Sequence, residues 1–245
     1  MTNNTLILAS FVMEAVFWIG AYLLILRGSF KNKIHYMPVA AMCGNIAWEF
    51  IIGLDLFPAC PVYWQACPDF IMQPATLLAA LLDAVILYTI LRFGRDQFSQ
   101  AAVRKYFPAM VFGGVGLAFA VIYTFMSDVY TRNVYQAAVN GVVPEFILSG
   151  LDGGLYTGWG MALLMGILFI AMFVVRGDLR GQSIWVALFM FLGNLGAYLF
   201  DIFATGGRLI PLLHVLALPS LAINVFYVLL VYERAKGMKM DPWKF

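Results

Sequence analysis

An all-α, polytopic membrane protein is predicted from three features of this 245-residue chain. Apolar stretches of about 20 residues recur seven times, the length a helix needs, at about 1.5 Å per residue, to cross a hydrocarbon core about 30 Å thick. Hydrophobic residues make up 63% of the chain and charged residues 11%, against roughly a quarter charged in a typical soluble domain. The basic residues gather in alternate loops, as they do on the cytoplasmic side of membrane proteins.

The spans are expected over 5–26, 36–57, 71–91, 107–127, 155–175, 183–203 and 211–232, forming one seven-helix domain over 1–245. The first Lys or Arg is Arg27, after the first apolar run, so that run reads as a span and not as a cleaved signal. Arg27, Lys31 and Lys33 follow span 1; Arg92, Arg95, Arg104 and Lys105 follow span 3. Arg176 and Arg180 follow span 5, and Arg234, Lys236, Lys239 and Lys244 follow span 7. Only Arg132 and Arg208 fall on the opposite side. This alternation requires an odd number of spans, with the N-terminus outside and the C-terminus in the cytoplasm. A multi-pass location follows: the endoplasmic reticulum membrane in a fungus, the cytoplasmic membrane in a bacterium.

The segment 128–154, with Pro144, Glu145 and Asp152, reads as a long outer connection that forms a short surface helix or dips partly into the membrane. Between spans 2 and 3, Cys60 and Cys67 stand among Pro58, Pro61 and Pro68. On an oxidising side they would form a disulfide or remain two free thiols, and both alternatives stand. Cys43, inside span 2, reads as a small buried apolar residue.

Ionisable groups inside a bilayer are expensive, about 2.5 to 3.5 kcal/mol at mid-helix on insertion scales, and mark function by default. Here all but one are acids. Span 1 carries Ser10, Glu14, Trp18 and Tyr22 at four-residue spacing, one continuous helical stripe. Span 2 carries Asn45, Trp48 and Glu49, with Asp55 near its outer end; span 3 carries Asp83. Span 6 carries Asn194, Tyr198 and Asp201, and span 7 carries His214, Ser220, Asn224 and Tyr227. Glu14 and Glu49 lie about 12 to 14 Å below the outer surface, with Asp55, Asp201 and His214 above them and Asn224 and Asp83 as a floor. No Lys or Arg lies within the spans. Acids buried without cationic partners favour their neutral form and become proton donors. Trp18, Tyr22 and Trp48 stand beside acids in mid-span, which suits the lining of a cavity better than an interfacial belt.

Several chemistries are excluded. A net charge of +2 with no basic stripe does not suit a nucleic-acid binder. The chain has no paired aspartates at diphosphate-binding spacing, no dinucleotide fingerprint, no nucleophile elbow and no His or Cys cluster, so neither a metal nor a cofactor is expected. Span 7 has no Lys for a retinal Schiff base. Acid, amide and aromatic side chains around an apolar cavity remain.

At Cys43-Gly-Asn-Ile-Ala-Trp-Glu-Phe50 the chain resembles the integral-membrane terpene cyclases of fungal meroterpenoid and indole-diterpene pathways, the paxilline cyclase family, and their bacterial relatives. Asn45, Trp48 and Glu49 match the Asn-x-x-Trp-Glu motif of that family, whose Glu is implicated in catalysis. Trp18, Tyr22, Tyr88-Thr89 and Phe93-Gly94 agree further. The resemblance implies a prenyl chain on an aromatic, polyketide or indole headgroup as substrate, membrane lipid as surroundings, and non-oxidative cyclisation. Glu49 would protonate a terminal epoxide or alkene, and Trp18, Tyr22, Trp48, Tyr198 and Tyr227 would stabilise the migrating cation. The last deprotonation would fall to a carboxylate, to His214, or to a water held by Asn194 or Asn224. One departure stands out: the family commonly has a second functional Asp in the last helix, where this chain has Asn224. Glu14, Asp83 or Asp201 would then be the partner acid, and Glu14, at the depth of Glu49, is favoured. A proton-coupled transporter or a seven-helix ligand receptor is the alternative, in which the acids would be relay or binding groups.

Overall fold

Helix boundaries in the computed structural model follow local rules. It describes residues 3–54, 56, 69–140, 150–207 and 210–244. They form seven α-helices: α1 (Asn3–Asn32), α2 (Val39–Gly53), α3 (Asp69–Phe93), α4 (Ala101–Asn140), α5 (Gly150–Arg176), α6 (Ile184–Ala204) and α7 (Pro211–Gly237), with short 3-10 turns at Arg95–Gln97 and Pro242–Lys244. No strand occurs among the described residues. Lys33, in left-handed conformation, stops α1, and Pro38, with an extended ψ of 134°, precedes α2. Gly177 and Gly181 turn the chain between α5 and α6 at positive φ, where a side chain would be strained. Pro211 opens α7 at its first turn, a position that needs no N–H donor.

Six helices are long and apolar enough to cross a membrane, and α2 is a shorter apolar helix. At 15 residues α2 is about 22 Å long. It is shorter than the expected 36–57 because Pro38 keeps the chain extended before it and the helix ends at Gly53. The larger correction concerns α4. The expected connection from 128 begins as unbroken helix up to Asn140, giving 40 residues or about 60 Å. Polar residues such as Asp128 and Asn133 lower the hydropathy there, but no Gly or Pro falls between Asp128 and Asn140 to end the helix. Cys60, Cys67, Asp55, Pro144 and Glu145 lie outside the described residues. Cys43 is a buried free thiol, its Sγ 3.6 Å from the Val111 carbonyl.

The helices close a ring in the order α1, α6, α7, α5, α4, α2, α3 and back to α1, and α2 also crosses the ring to touch α5. The short helix is therefore an internal one, with nine buried residues out of 15. The outer faces are apolar: Tyr106, Phe112 and Leu117 of α4 and Val175 of α5 are exposed, Val175 at 85%. Such faces suit lipid.

α1 and α6 approach each other closely. A Cβ added at Gly196 would fall 2.5 Å from the Glu14 backbone nitrogen, and one at Gly193 would fall 2.7 Å from the Trp18 ring. Missing side chains let two backbones approach, as in membrane helix pairs generally. Phe11 against Phe200, with ring centroids 5.8 Å apart, continues the same register toward the N-terminus of α1.

The four basic connections meet at one end of the ring. Arg176 Nη2 donates to His35 Nε2 at 2.9 Å, to the His35 carbonyl at 3.1 Å and to Gln97 Oε1 at 2.8 Å. Arg234 of α7 donates to the Gly177 carbonyl. The connections after α1, α3 and α5 are thus tied together, with α7 alongside. Burial, and the Arg176 guanidinium beside it, hold the His35 pKa down at about 3 from an ordinary 6.5.

Two outcomes are expected. Gly196→Ala loses about 1 to 3 kcal/mol through overpacking, read as a lower unfolding midpoint in detergent, whereas Gly116→Ala, with open space around it, loses none. Neutral His35 stabilises the fold fully above pH 6.5, where the unfolded chain is also neutral, and this contribution is lost as pH falls toward 3. Unfolding midpoints measured between pH 7 and pH 4 should therefore fall less steeply for His35→Gln than for the unsubstituted protein.

Candidate active site

At the end of the bundle away from this basic cluster, α1, α2, α3, α5 and α6 line a half-open cavity of about 180 Å³. Its position follows from the antiparallel ring: it is walled by residues 11–22 of α1, 45–52 of α2, 75–79 of α3, 154–165 of α5 and 194–201 of α6. Eight residues singled out from the sequence line it: Glu14, Trp18, Tyr22, Asn45, Trp48, Glu49, Asn194 and Asp201. Among the described lining residues there is no Lys or Arg. Nor do any three His, Cys, Asp or Glu side chains come together as a metal centre among the described residues.

Glu49, 8% exposed, is held by a directional chain. Asn45 Nδ2 donates one hydrogen to the Tyr22 hydroxyl oxygen at 2.7 Å and one to Asp83 Oδ2 at 2.6 Å. Tyr22 in turn donates to Glu49 Oε1 at 3.1 Å. With the Asn45 N–H on the Tyr22 oxygen, the Tyr22 hydrogen is left to point at Glu49. The motif spacing explains the arrangement: Asn45 and Glu49 are one helical turn apart on α2 and share a face. Asp83 lies behind this wall, 0% exposed, with Oδ1 unpartnered.

Trp48, the third member of the motif, anchors α2 to α5. Its Nε1–H is shared between the Gly154 carbonyl and Thr157 Oγ1, each at 3.1 Å. Gly158 makes room, since a Cβ there would meet the Trp48 ring at 3.2 Å. The glycine-rich stretch at the start of α5 therefore seats a tryptophan within a continuous helix.

Across the cavity, Trp159 Nε1–H donates to Asp201 Oδ2 at 2.7 Å. Trp159 and Thr157 were not singled out from the sequence; their only signal is their place on the glycine-rich face of α5. The remaining residues expected to bind substrate do not line the cavity. Tyr198 and His214 bond each other, hydroxyl to Nδ1 at 2.9 Å, and Tyr198 stands edge-on to Trp159. Asn224 is 1% exposed with both amide atoms unpartnered, packed against Gly166. Tyr227 lies farthest from the cavity: it donates to Gln182 Oε1 at 2.5 Å, near the basic end, about 24 Å along α7 from Pro211.

Residues 2–205, from α1 to the end of α6, match the family described as Pyr4-like transmembrane terpene cyclases. The chain belongs to that family. As a multi-pass membrane member it is 24% identical over 190 residues to the Pyr4-family terpene cyclase mfmH of Annulohypoxylon moriforme, covering 77% of this chain and 66% of the relative. It is 26% identical over 156 residues to the terpene cyclase andB of Emericella variicolor (58% and 61%), and 25% identical over 180 residues to the terpene cyclase atmB of Aspergillus flavus (72% and 62%). The chain thus spans slightly under two thirds of the length of these relatives. No solved structure matches it. The family match includes Glu14, Asn45, Trp48, Glu49, Asp83 and Asp201 but stops before α7, and so before Asn224.

Asn45→Leu leaves the Tyr22 oxygen and Asp83 without their donor. The expected loss is about 1 to 3 kcal/mol, read as a lower unfolding midpoint in detergent, with the helical signal of the folded state unchanged.

Proposed function

We propose that this protein is a membrane-bound terpene cyclase that folds a prenyl chain carrying an aromatic, polyketide or indole headgroup, and starts its cyclisation by protonation from Glu49. The observation that carries this is the placement of Glu49: an acid in an aromatic-walled cavity, bonded by a hydroxyl donor and accompanied by no described basic lining residue. With Tyr22 donating to Oε1, the acidic hydrogen of neutral Glu49 belongs on Oε2, free to meet a substrate.

The chemistry balances within the cavity. Glu49 gives its proton to the oxygen of a terminal epoxide, or to the carbon of a terminal alkene. For the epoxide, the C–O bond to the more substituted carbon breaks as the nearest alkene supplies its π pair to that carbon. Each ring closure moves the cation one alkene further along the chain. Loss of a proton from carbon ends the cascade, so product and substrate are isomers. Trp18, Tyr22 and Trp48 offer π faces to the cation, each worth up to about 2 kcal/mol when desolvated, and the cavity limits capture by water.

A bilayer orientation with the N-terminus outside and seven crossings completes the proposal, α2 crossing with its flanking residues. The gathering of the basic connections at one end supports it. The organisms of the relatives favour the endoplasmic reticulum membrane. The unbroken run of α5 through its glycines, and of α7 past Pro219, supports an enzyme over a transporter, whose sites are usually built from interrupted helices.

Microsomes bearing Glu49→Gln should insert the protein normally but cyclise an epoxyfarnesyl-substituted phenol at least about 100-fold more slowly, the usual contribution of a general acid. Turnover within a few-fold of the unsubstituted protein would remove Glu49 from that role.

A further inference from the structure

We propose that Asp201 takes the last proton of the cascade and that Glu14 passes it back to Glu49, closing a proton circuit inside the cavity; this rests on the cyclase reading above. An isomerisation consumes and releases one proton per turnover. After one turnover Glu49 is a carboxylate and the base is a carboxylic acid, so the enzyme must be reset before it can act again. The acid and the base stand on different walls, and the third carboxyl of the cavity lies between them.

The register of α1 against α6 supplies this order. Phe11 packs on Phe200, the neighbour of Asp201, with ring centroids 5.8 Å apart. The Glu14 backbone lies against Gly196, and Trp18 against Gly193. Tyr22, two turns beyond Glu14, holds Glu49. Going down the cavity along α1, Asp201 therefore lies near the level of Phe11, then comes Glu14, then the Tyr22 hydroxyl and Glu49. Helical side chains lean toward the N-terminus, so the Tyr22 ring reaches back toward the level of Glu14. Glu14, Glu49 and Asp201 all line the one cavity.

Asp201 suits the acceptor's role. An indole N–H can only donate, so Trp159 binds Oδ2 as an acceptor and turns the carboxylate from the side of α5. In the terminating step the carbon–hydrogen bond next to the cation breaks, its electron pair becomes the new alkene, and the proton bonds to Asp201. Once the product leaves, neutral Glu14 gives its proton to the Glu49 carboxylate and takes the Asp201 proton in its place. No oxidant, metal or external base takes part.

Glu14→Gln keeps the size of the side chain and removes its ability to carry the proton. The test is rapid-mix kinetics of purified full-length protein in detergent with excess epoxyfarnesyl-substituted phenol. Glu14→Gln should form one equivalent of product at a rate within about 3-fold of the unsubstituted protein, then continue at least about 10-fold more slowly. Added formate, a small carboxylate able to carry the proton, should raise the slow phase and leave the first turnover unchanged. A uniformly slowed, burst-free time course would make Glu14 a structural residue and overturn the circuit, and so would a steady-state rate equal to that of the unsubstituted protein. A burst that formate does not relieve would place the slow step in product release and overturn it as well. If the unsubstituted protein forms no cyclised product under these conditions, the cyclase reading fails and the circuit fails with it.

Discussion

A carboxyl group inside a lipid-embedded bundle cannot be left to itself, and the architecture of this protein follows from how that constraint is met. Water is scarce and no described Lys or Arg lines the cavity, so each buried acid needs a neutral donor. Asn45 supplies two hydrogens, one to Tyr22 and one to Asp83, and Tyr22 supplies Glu49. Trp159 does the same for Asp201. These bonds join α1, α2 and α3 on one wall and α5 and α6 on the other, so the polar groups that define the cavity also help hold its helices in place.

The internal position of α2 is the other determinant. Being short, it packs inside the ring and presents Asn45, Trp48 and Glu49 to three different neighbours: α1 and α3, α5, and α1 again. The spacing Asn-x-x-Trp-Glu then has a structural meaning. Asn45 and Glu49 share one face and share Tyr22 between them, while Trp48, a quarter turn away, docks on the glycine-rich start of α5. The glycines of α5 and α6 allow these contacts by removing the side chains that would hold the helices apart.

Much of this was legible in the amino-acid order. The recurring apolar stretches mark the seven helices, six of them long enough to cross a membrane, and the basic connections meet at one end. Spacing of four places Glu14, Trp18 and Tyr22 on one stripe, and all three line the cavity. Depth along a helix was less informative for α7, where Tyr227 belongs with Gln182 near the basic end. Hydropathy missed the continuation of α4 to Asn140, since polar residues lower the apolar average without interrupting backbone hydrogen bonds. Trp159 was not legible because its importance depends on Asp201, 42 residues away, a pairing that only helix packing creates.

The most direct test is to determine the structure of the full-length protein, in lipid nanodiscs, with a non-reactive analogue of an epoxyprenylated phenol. The terminal oxygen of the analogue should lie within hydrogen-bonding distance of Glu49, with the prenyl chain along Trp18 and Trp48. An analogue bound with that end against Asp201, or bound outside the cavity altogether, would contradict Glu49 as the group that starts the reaction.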